Sequence, residues 1–235
     1  MRFVSISSVF ALYFCLLANG CSKDISRATA ATVLSVKGKV VFGNAEKNDL
    51  QPLTSQSKIY VGNIVRTSEG SSLNLALIPG VFVQLSGKSE ITIEDLRLTK
   101  DGNDTAGRML GRRAWIRLNR GRVVSLFSQS DKTPSVFRVT TRQVTLSPDS
   151  DCLFSVWTDG TTTRATCDRG EVSGTANAGP TLKIGAGYFS RWPTASKEPI
   201  VAAADADAQV DVKTALEIEP ELLNQAADWR NRRAF

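Results

Sequence analysis

From Thr32 onward the chain alternates. ATVLSVKGKVVFG, SKIYVGNIVRTS, SSLNLALIPGVFVQLSG and SEITIEDLRLT carry β-branched and aliphatic residues at near-alternate positions, with turn residues between the runs. Period two signals half-buried strands. In SSLNLALIPG, Leu73, Leu75 and Leu77 share one face, and Ser72, Asn74 and Ala76 take the other. In SEITIEDLRL, Ile91 and Ile93 alternate with Thr92 and Glu94. KDGNDTAGR, 100–108, is a polar loop, and AWIRLNRGRVVSLFSQ, SVFRVTTRQVTLSP, CLFSVWTDGTTTRATC, GEVSGTA and PTLKIGAGYFSRW continue as short strands. The pattern predicts an all-β domain over 32–193. Its expected core includes Ile64, Val65, Leu73, Leu75, Leu77, Val83, Val123, Phe137 and Val139. Helical spacing begins only near residue 208. Residues 194–235 read as a linker followed by one or two short helices, with Pro220 opening the second. Leu222, Leu223, Ala226 and Trp229 form its expected apolar face.

A basic residue, Gly, a charged residue and Val recur at 37–40, 120–123 and 169–172. The unequal spacing rules out a tandem array. The expected structure is a turn whose glycine takes a positive φ and feeds a strand.

The first twenty residues read as an export signal: Arg2, an apolar run from Phe3 to Leu17, then small residues. Leu17-Ala18-Asn19-Gly20-Cys21 resembles the bacterial lipoprotein box. That resemblance implies cleavage before Cys21 and a lipid on its sulfur; the alternative is an ordinary cleaved signal. Ser22 in place of Asp implies the outer membrane under the usual sorting rule. Residues 21–31, small and polar, read as a tether.

Export bears on the cysteines. Cys15 leaves with the signal and Cys21 is the expected anchor, so Cys152 and Cys167 remain in an oxidising compartment where disulfides persist. Asp159-Gly160 is a hairpin signal. A hairpin centred there pairs residues whose numbers sum to 319, placing Cys152 opposite Cys167. A disulfide closing so short a loop contributes about 3 kcal/mol. Zinc requires more ligands than this pair, and the chain has no histidine.

The 235-residue chain carries a formal charge of +6, which becomes +5 when residues 1–20 and their single Arg are removed. Such mild basicity does not point to nucleic acid. The lack of histidine removes Ser-His-Asp catalysis and the commonest general base. The adjacent acids Asp149 and Asp151, and Glu94 and Asp95, read as solvated turn residues. The expectation is a non-catalytic protein with no cofactor and no metal site.

The most suggestive segment is GRMLGRRAWIRLNRGR, 107–122. Arg108, Arg112, Arg113, Arg117, Arg120 and Arg122 together suit phosphate or carboxylate, since the guanidinium is a planar fork of donors. Trp115 among them could stack on a sugar. The competing reading is a basic outer face with Trp115, Ile116 and Leu118 in the core. The terminal WRNRRAF reads as a frayed helix end or a membrane-surface segment.

Residues 36–98 resemble the FecR domain. The likeness runs through Val36, Gly38, Val40, Leu53, Tyr60-Val61-Gly62-Asn63-Ile64-Val65-Arg66-Thr67 and Gly70. It continues through the Leu73, Leu75, Leu77 strand to Gly80, Val83 and Leu85. It extends in outline to about residue 192 through Gly121-Arg122-Val123, Phe137-Arg138-Val139 and Gly170-Glu171-Val172. The family's usual acid is replaced by Asn63. The resemblance implies a solenoid-like or twisted two-sheet domain in the bacterial envelope. The type protein relays transporter occupancy to a sigma factor through a cytoplasmic segment and a spanning helix. Neither is expected here, because everything after Cys21 is exported. The expectation is a periplasmic binding or sensory module held by lipid. Its partner would be an envelope protein or, alternatively, peptidoglycan or another anionic glycan or lipid bound through the arginines.

Overall fold

The fold is described from a computed structural model covering residues 24–233, apart from 45, 48, 130, 177–178 and 194–197. The export signal, Cys21 and the last two residues lie outside the described residues. Numbered along the chain, the strands form two layers. Layer one runs β4 (Asp49–Pro52), β3 (Val40–Asn44), β6 (Asn63–Thr67), β9 (Glu90–Asp101), the first part of β10 (Met109–Phe127), β11 (Ser135–Thr140), β12 (Val144–Pro148), β15 (Glu171–Ala176) and β16 (Thr181–Gly185). Layer two runs β5 (Lys58–Ile59), β2 (Ala31–Lys37), β7 (Ser72–Ile78), β8 (Val81–Leu85), the rest of β10, β13 (Cys152–Thr158), β14 (Thr163–Arg169), β17 (Tyr188–Trp192) and β18 (Ile200–Val201). The layers are one sheet folded over on β10, so the twisted two-sheet form is the observed one.

The recurring Gly turns are where the chain changes layer. Gly38, Gly121 and Gly170 have φ of +76°, +90° and +80°. Gly38 links β2 to β3, Gly121 carries β10 across, and Gly170 links β14 to β15. A Cβ on Gly121 would lie 2.5 Å from Ser89 Cα, so both conformation and space demand glycine there. The following residue, Arg122, donates its backbone N–H to Ser89 Oγ at 2.9 Å.

The inward faces of both layers meet in one core that contains all the expected residues except Ile64, which is itself buried. Leu75 is fully buried between β2 and β8. Leu75→Ala is expected to lower the free energy of urea unfolding by about 2–5 kcal/mol. A loss under about 1 kcal/mol would mean that its face of β7 is not core.

Three expectations change. The tether is shorter than residues 21–31. β1 (Asp24–Ala28) pairs antiparallel with the C-terminal half of β9, and Ala31 already belongs to β2. Because β6 covers only Glu90–Thr92 of β9, β1 occupies an edge that would otherwise be open. All five of its residues are exposed, so no alternation reveals it.

The register is also different. Paired residues of β13 and β14 sum to 321, as in Thr158↔Thr163 and Phe154↔Cys167. The loop is Asp159–Thr162, and the Asp159 carboxylate accepts the N–H groups of Thr161 and Thr162, each at 2.7 Å. That Asx turn moves the hairpin centre one residue beyond the Asp-Gly pair. Phe154, not Cys152, therefore faces Cys167.

Finally, the tail is one helix, α1 (Ala206–Arg233), which follows a short turn at Ala202–Ala204. Asp205 caps it, its Oδ1 accepting the Ala208 N–H at 2.9 Å. Pro220 lies inside the helix and leaves the carbonyl of Leu216 without a partner on an exposed turn. Leu222, Ala226 and Trp229 are buried as expected, but Leu223 is 43% exposed.

Candidate functional site

Arg108 lies in the loop before β10, the alternation of β10 scatters the other five arginines over several surfaces, and most of the six are neutralised. Arg108 meets Asp101 at 3.4 Å, Arg113 meets Asp95 at 3.5 Å and Arg117 meets Glu94 at 2.6 Å. Arg112 grips Asp131 with both terminal nitrogens, at 3.1 and 2.5 Å. The Arg112 hydrogen bond holds the Asp131 carboxyl below its ordinary range. Trp115 is half-buried on the outer face, with the guanidinium groups of Arg113 and Arg138 over its ring at 5.0 and 4.9 Å from the centroid. The ring thus already stacks with this chain's own cations, while Ile116 and Leu118 are core.

Arg122 points the other way, toward α1. Its NH2 lies 2.6 Å from Asp211 Oδ1, an ion pair without hydrogen-bond alignment. Asp211 Oδ2 accepts from Arg164 Nε at 2.5 Å, and Arg164 NH1 donates to Asp207 at 3.0 Å. This network clamps the first half of α1 to layer two. The second half is held by Glu221 and Gln225 against Asn74, at 2.9 and 3.0 Å. Leu222, Ala226 and Trp229 pack on Phe82, Val124, Leu126 and Leu153.

Arg120 alone of the six has no carboxylate partner among the described residues. It lines a cleft of about 300 Å³ with Lys88, Arg122, Trp157 and Asp159, at the end of the sandwich where β10 crosses over. Arg164 stacks beneath Trp157, 5.1 Å from its centroid. Lys88 has a φ of +58°, a region that lysine rarely adopts. The cleft thus offers an unpaired guanidinium beside an aromatic ring, a pairing suited to an anionic sugar.

Asp168, on β14 under α1, has no partner for either buried carboxylate oxygen. Burial, then the charges of Asp211 and Glu219, push its pKa up to about 8. An unfolded Asp titrates at about 3.9. The folded state therefore holds this proton more tightly. Its stabilisation is full below about pH 4 and is lost as the pH rises through about 8. Asp168→Asn is expected to flatten thermal stability across that window and to raise the melting temperature at pH 8. An unchanged decline would assign the pH dependence to another group.

Cys152 and Cys167 are both fully buried, and their Sγ atoms lie 3.9 Å apart as two thiols. The disulfide expected between them is not formed in this structure. A bulge between Leu153 and Phe154 brings Cys152 back beside Cys167 despite the changed register. The contact with Cys167, then burial, push the Cys152 thiol up.

Sequence reasoning located Arg120 and Arg122 but missed Trp157, Arg164, Asp168 and Asp211. No local signal marks them, because each acquires its role from a residue on another element.

Residues 63–173, from β6 into β15, match the model of the FecR protein family. Over that span the chain is similar to the FecR family, and its fold is all-β with one C-terminal helix. Two crystal structures of a "putative anti-sigma factor" from Parabacteroides distasonis ATCC 8503 are similar at 14% identity, with TM-scores of 0.42 and 0.41. Each match covers 58% of this chain and 57% of that one, so it spans little more than half of those proteins. Nothing about function follows from so distant a likeness. No curated protein matches the chain. No helix among the described residues is long and apolar enough to cross a membrane.

Proposed function

We propose that this chain is a non-catalytic envelope lipoprotein whose FecR-type sandwich is a protein-interaction module on the periplasmic face, with the outer membrane favoured. The FecR match over 63–173 carries this reading. The export signal and the box ending at Cys21 support the location. In that compartment the Cys152 and Cys167 thiols lose two protons and two electrons to the resident thiol oxidants and form a disulfide. The test is expression of the full chain in a bacterium, followed by intact mass and capture from solubilised envelope at low and high salt. The expected result is an acylated Cys21, the loss of two hydrogens and one discrete protein retained at both salts. Recovery of unacylated protein from the cytoplasm would overturn the location, and capture that vanishes at high salt would overturn the protein-partner reading.

One observation favours a second reading. The unpaired Arg120 beside Trp157 suits an anionic envelope glycan better than the paired arginines do. Sedimentation with purified sacculi at low salt is then expected to be lost in Arg120→Ala and retained when Arg112 and Arg113 are both Ala. The reverse pattern would restore the broad arginine face.

A further inference from the structure

We infer that the end of the sandwich formed by the start of β1, the end of β9 and the 102–108 loop lies directly on the bilayer. There the cleft beside β1 takes phospholipid headgroups. This rests on the lipid anchor at Cys21 proposed above. A cysteine carrying lipid has its sulfur at headgroup level. Three residue steps separate Cys21 from Asp24, a reach of at most about 11 Å. Asp24 is already paired with Asp101 in the folded sheet. A tether through residue 31 would have let the domain turn freely, and the sheet begins too early for that.

The surface held at the membrane has the matching chemistry. A cleft of about 440 Å³ is lined by Ile25, Arg27, Leu98, Lys100, Asp101 and Asp104. Its acids are engaged: Asp101 faces Arg108, and Asp104 Oδ1 accepts the Ala106 N–H at 2.9 Å. Arg27 and Lys100 have no carboxylate partner among the described residues. Two unpaired cations over two aliphatic side chains suit the phosphate and upper acyl region of an anionic phospholipid. Ile25 is 38% exposed at this edge.

The seating also orients the opposite end. Arg120 pairs with Glu90, the first residue of β9, and Asp101 is the last. Eleven residue steps of at most about 3.4 Å put the Arg120–Trp157 cleft up to about 37 Å along β9 from the lipid-facing end, toward open periplasm.

The experiment uses the acylated full chain in vesicles of phosphatidylcholine and phosphatidylglycerol, with a fraction of headgroup-nitroxide lipid. A fluorophore is placed through Thr105→Cys in the loop or Thr161→Cys at the far turn; the buried Cys152 and Cys167 are shielded from the reagent. Quenching is expected at 105 and none at 161. Arg27→Glu with Lys100→Glu is expected to lose the quenching at 105 while the protein stays on the vesicles. Equal quenching at both sites in protein whose mass confirms acylation would overturn the seating alone. Undiminished quenching in the double variant would overturn the headgroup cleft. A mass showing no acyl group on Cys21 would overturn the anchor and the seating together.

Discussion

Asp211→Ala is expected to destabilise the protein by about 3–5 kcal/mol and to release the first half of α1 from layer two. The Asp211 side chain is 1% exposed and binds two arginines, Arg122 at 2.6 Å and Arg164 at 2.5 Å. Arg164 is itself only 5% exposed. Burying two guanidinium groups is tolerable because a carboxylate lies between them; without it they face each other in a poorly solvated seam. Asp207 remains for Arg164 but is 71% exposed and compensates weakly. Asp211→Asn keeps an acceptor without the charge and should fall between the two. Urea unfolding followed by the fluorescence of Trp229, which packs edge-on to Phe82 with centroids 5.8 Å apart, reads helix and sandwich together. A loss under about 1 kcal/mol would show that the arginines swing to solvent and that the clamp is dispensable.

Phe137→Ala is expected to cost about 3–5 kcal/mol. Phe137 belongs to layer one and is fully buried. Its ring stacks on Phe127 at 6.5 Å and tilts against Phe154 at 6.1 Å, both from layer two. Truncation removes the transfer energy of the ring and two aromatic contacts, and it leaves a void between sheets that backbone pairing holds apart. Phe137→Leu should cost less because it fills part of the void. Denaturant midpoints for both variants check the order. If Phe137→Leu proved the costlier, shape rather than volume would govern this layer.

The polar seam under α1 contrasts with the core between the sheets. Asn74 Oδ1, Ser155 Oγ, Thr166 Oγ1 and both oxygens of Asp168 are buried without partners on the face that α1 covers. Between the sheets, inward positions are almost wholly aliphatic or aromatic. The sandwich has the more fully satisfied interior, and the seam under α1 holds the Asp168 carboxyl whose pKa is pushed up by burial.

Most of the strands, the faces of their core residues and the glycine turns were legible in the amino-acid pattern. Those are local properties: alternation fixes which side of a strand is apolar, and a positive φ selects glycine whatever lies nearby. Leu73, Leu75 and Leu77 could be assigned to the core without a partner in view. The remaining features depend on contacts between distant parts of the chain. β1 carries no apolar signal and exists because β9 offers an open edge. The hairpin register shifted because the Asp159 carboxylate captured two N–H groups, an energy that counting from Asp-Gly does not contain. The arginine segment read as one basic face, yet Arg112, Arg117 and Arg122 meet Asp131, Glu94 and Asp211 from three different elements. A charge is free or spent according to what folding brings within about 4 Å of it, and for these side chains the partner lies 19 to 89 residues away along the chain.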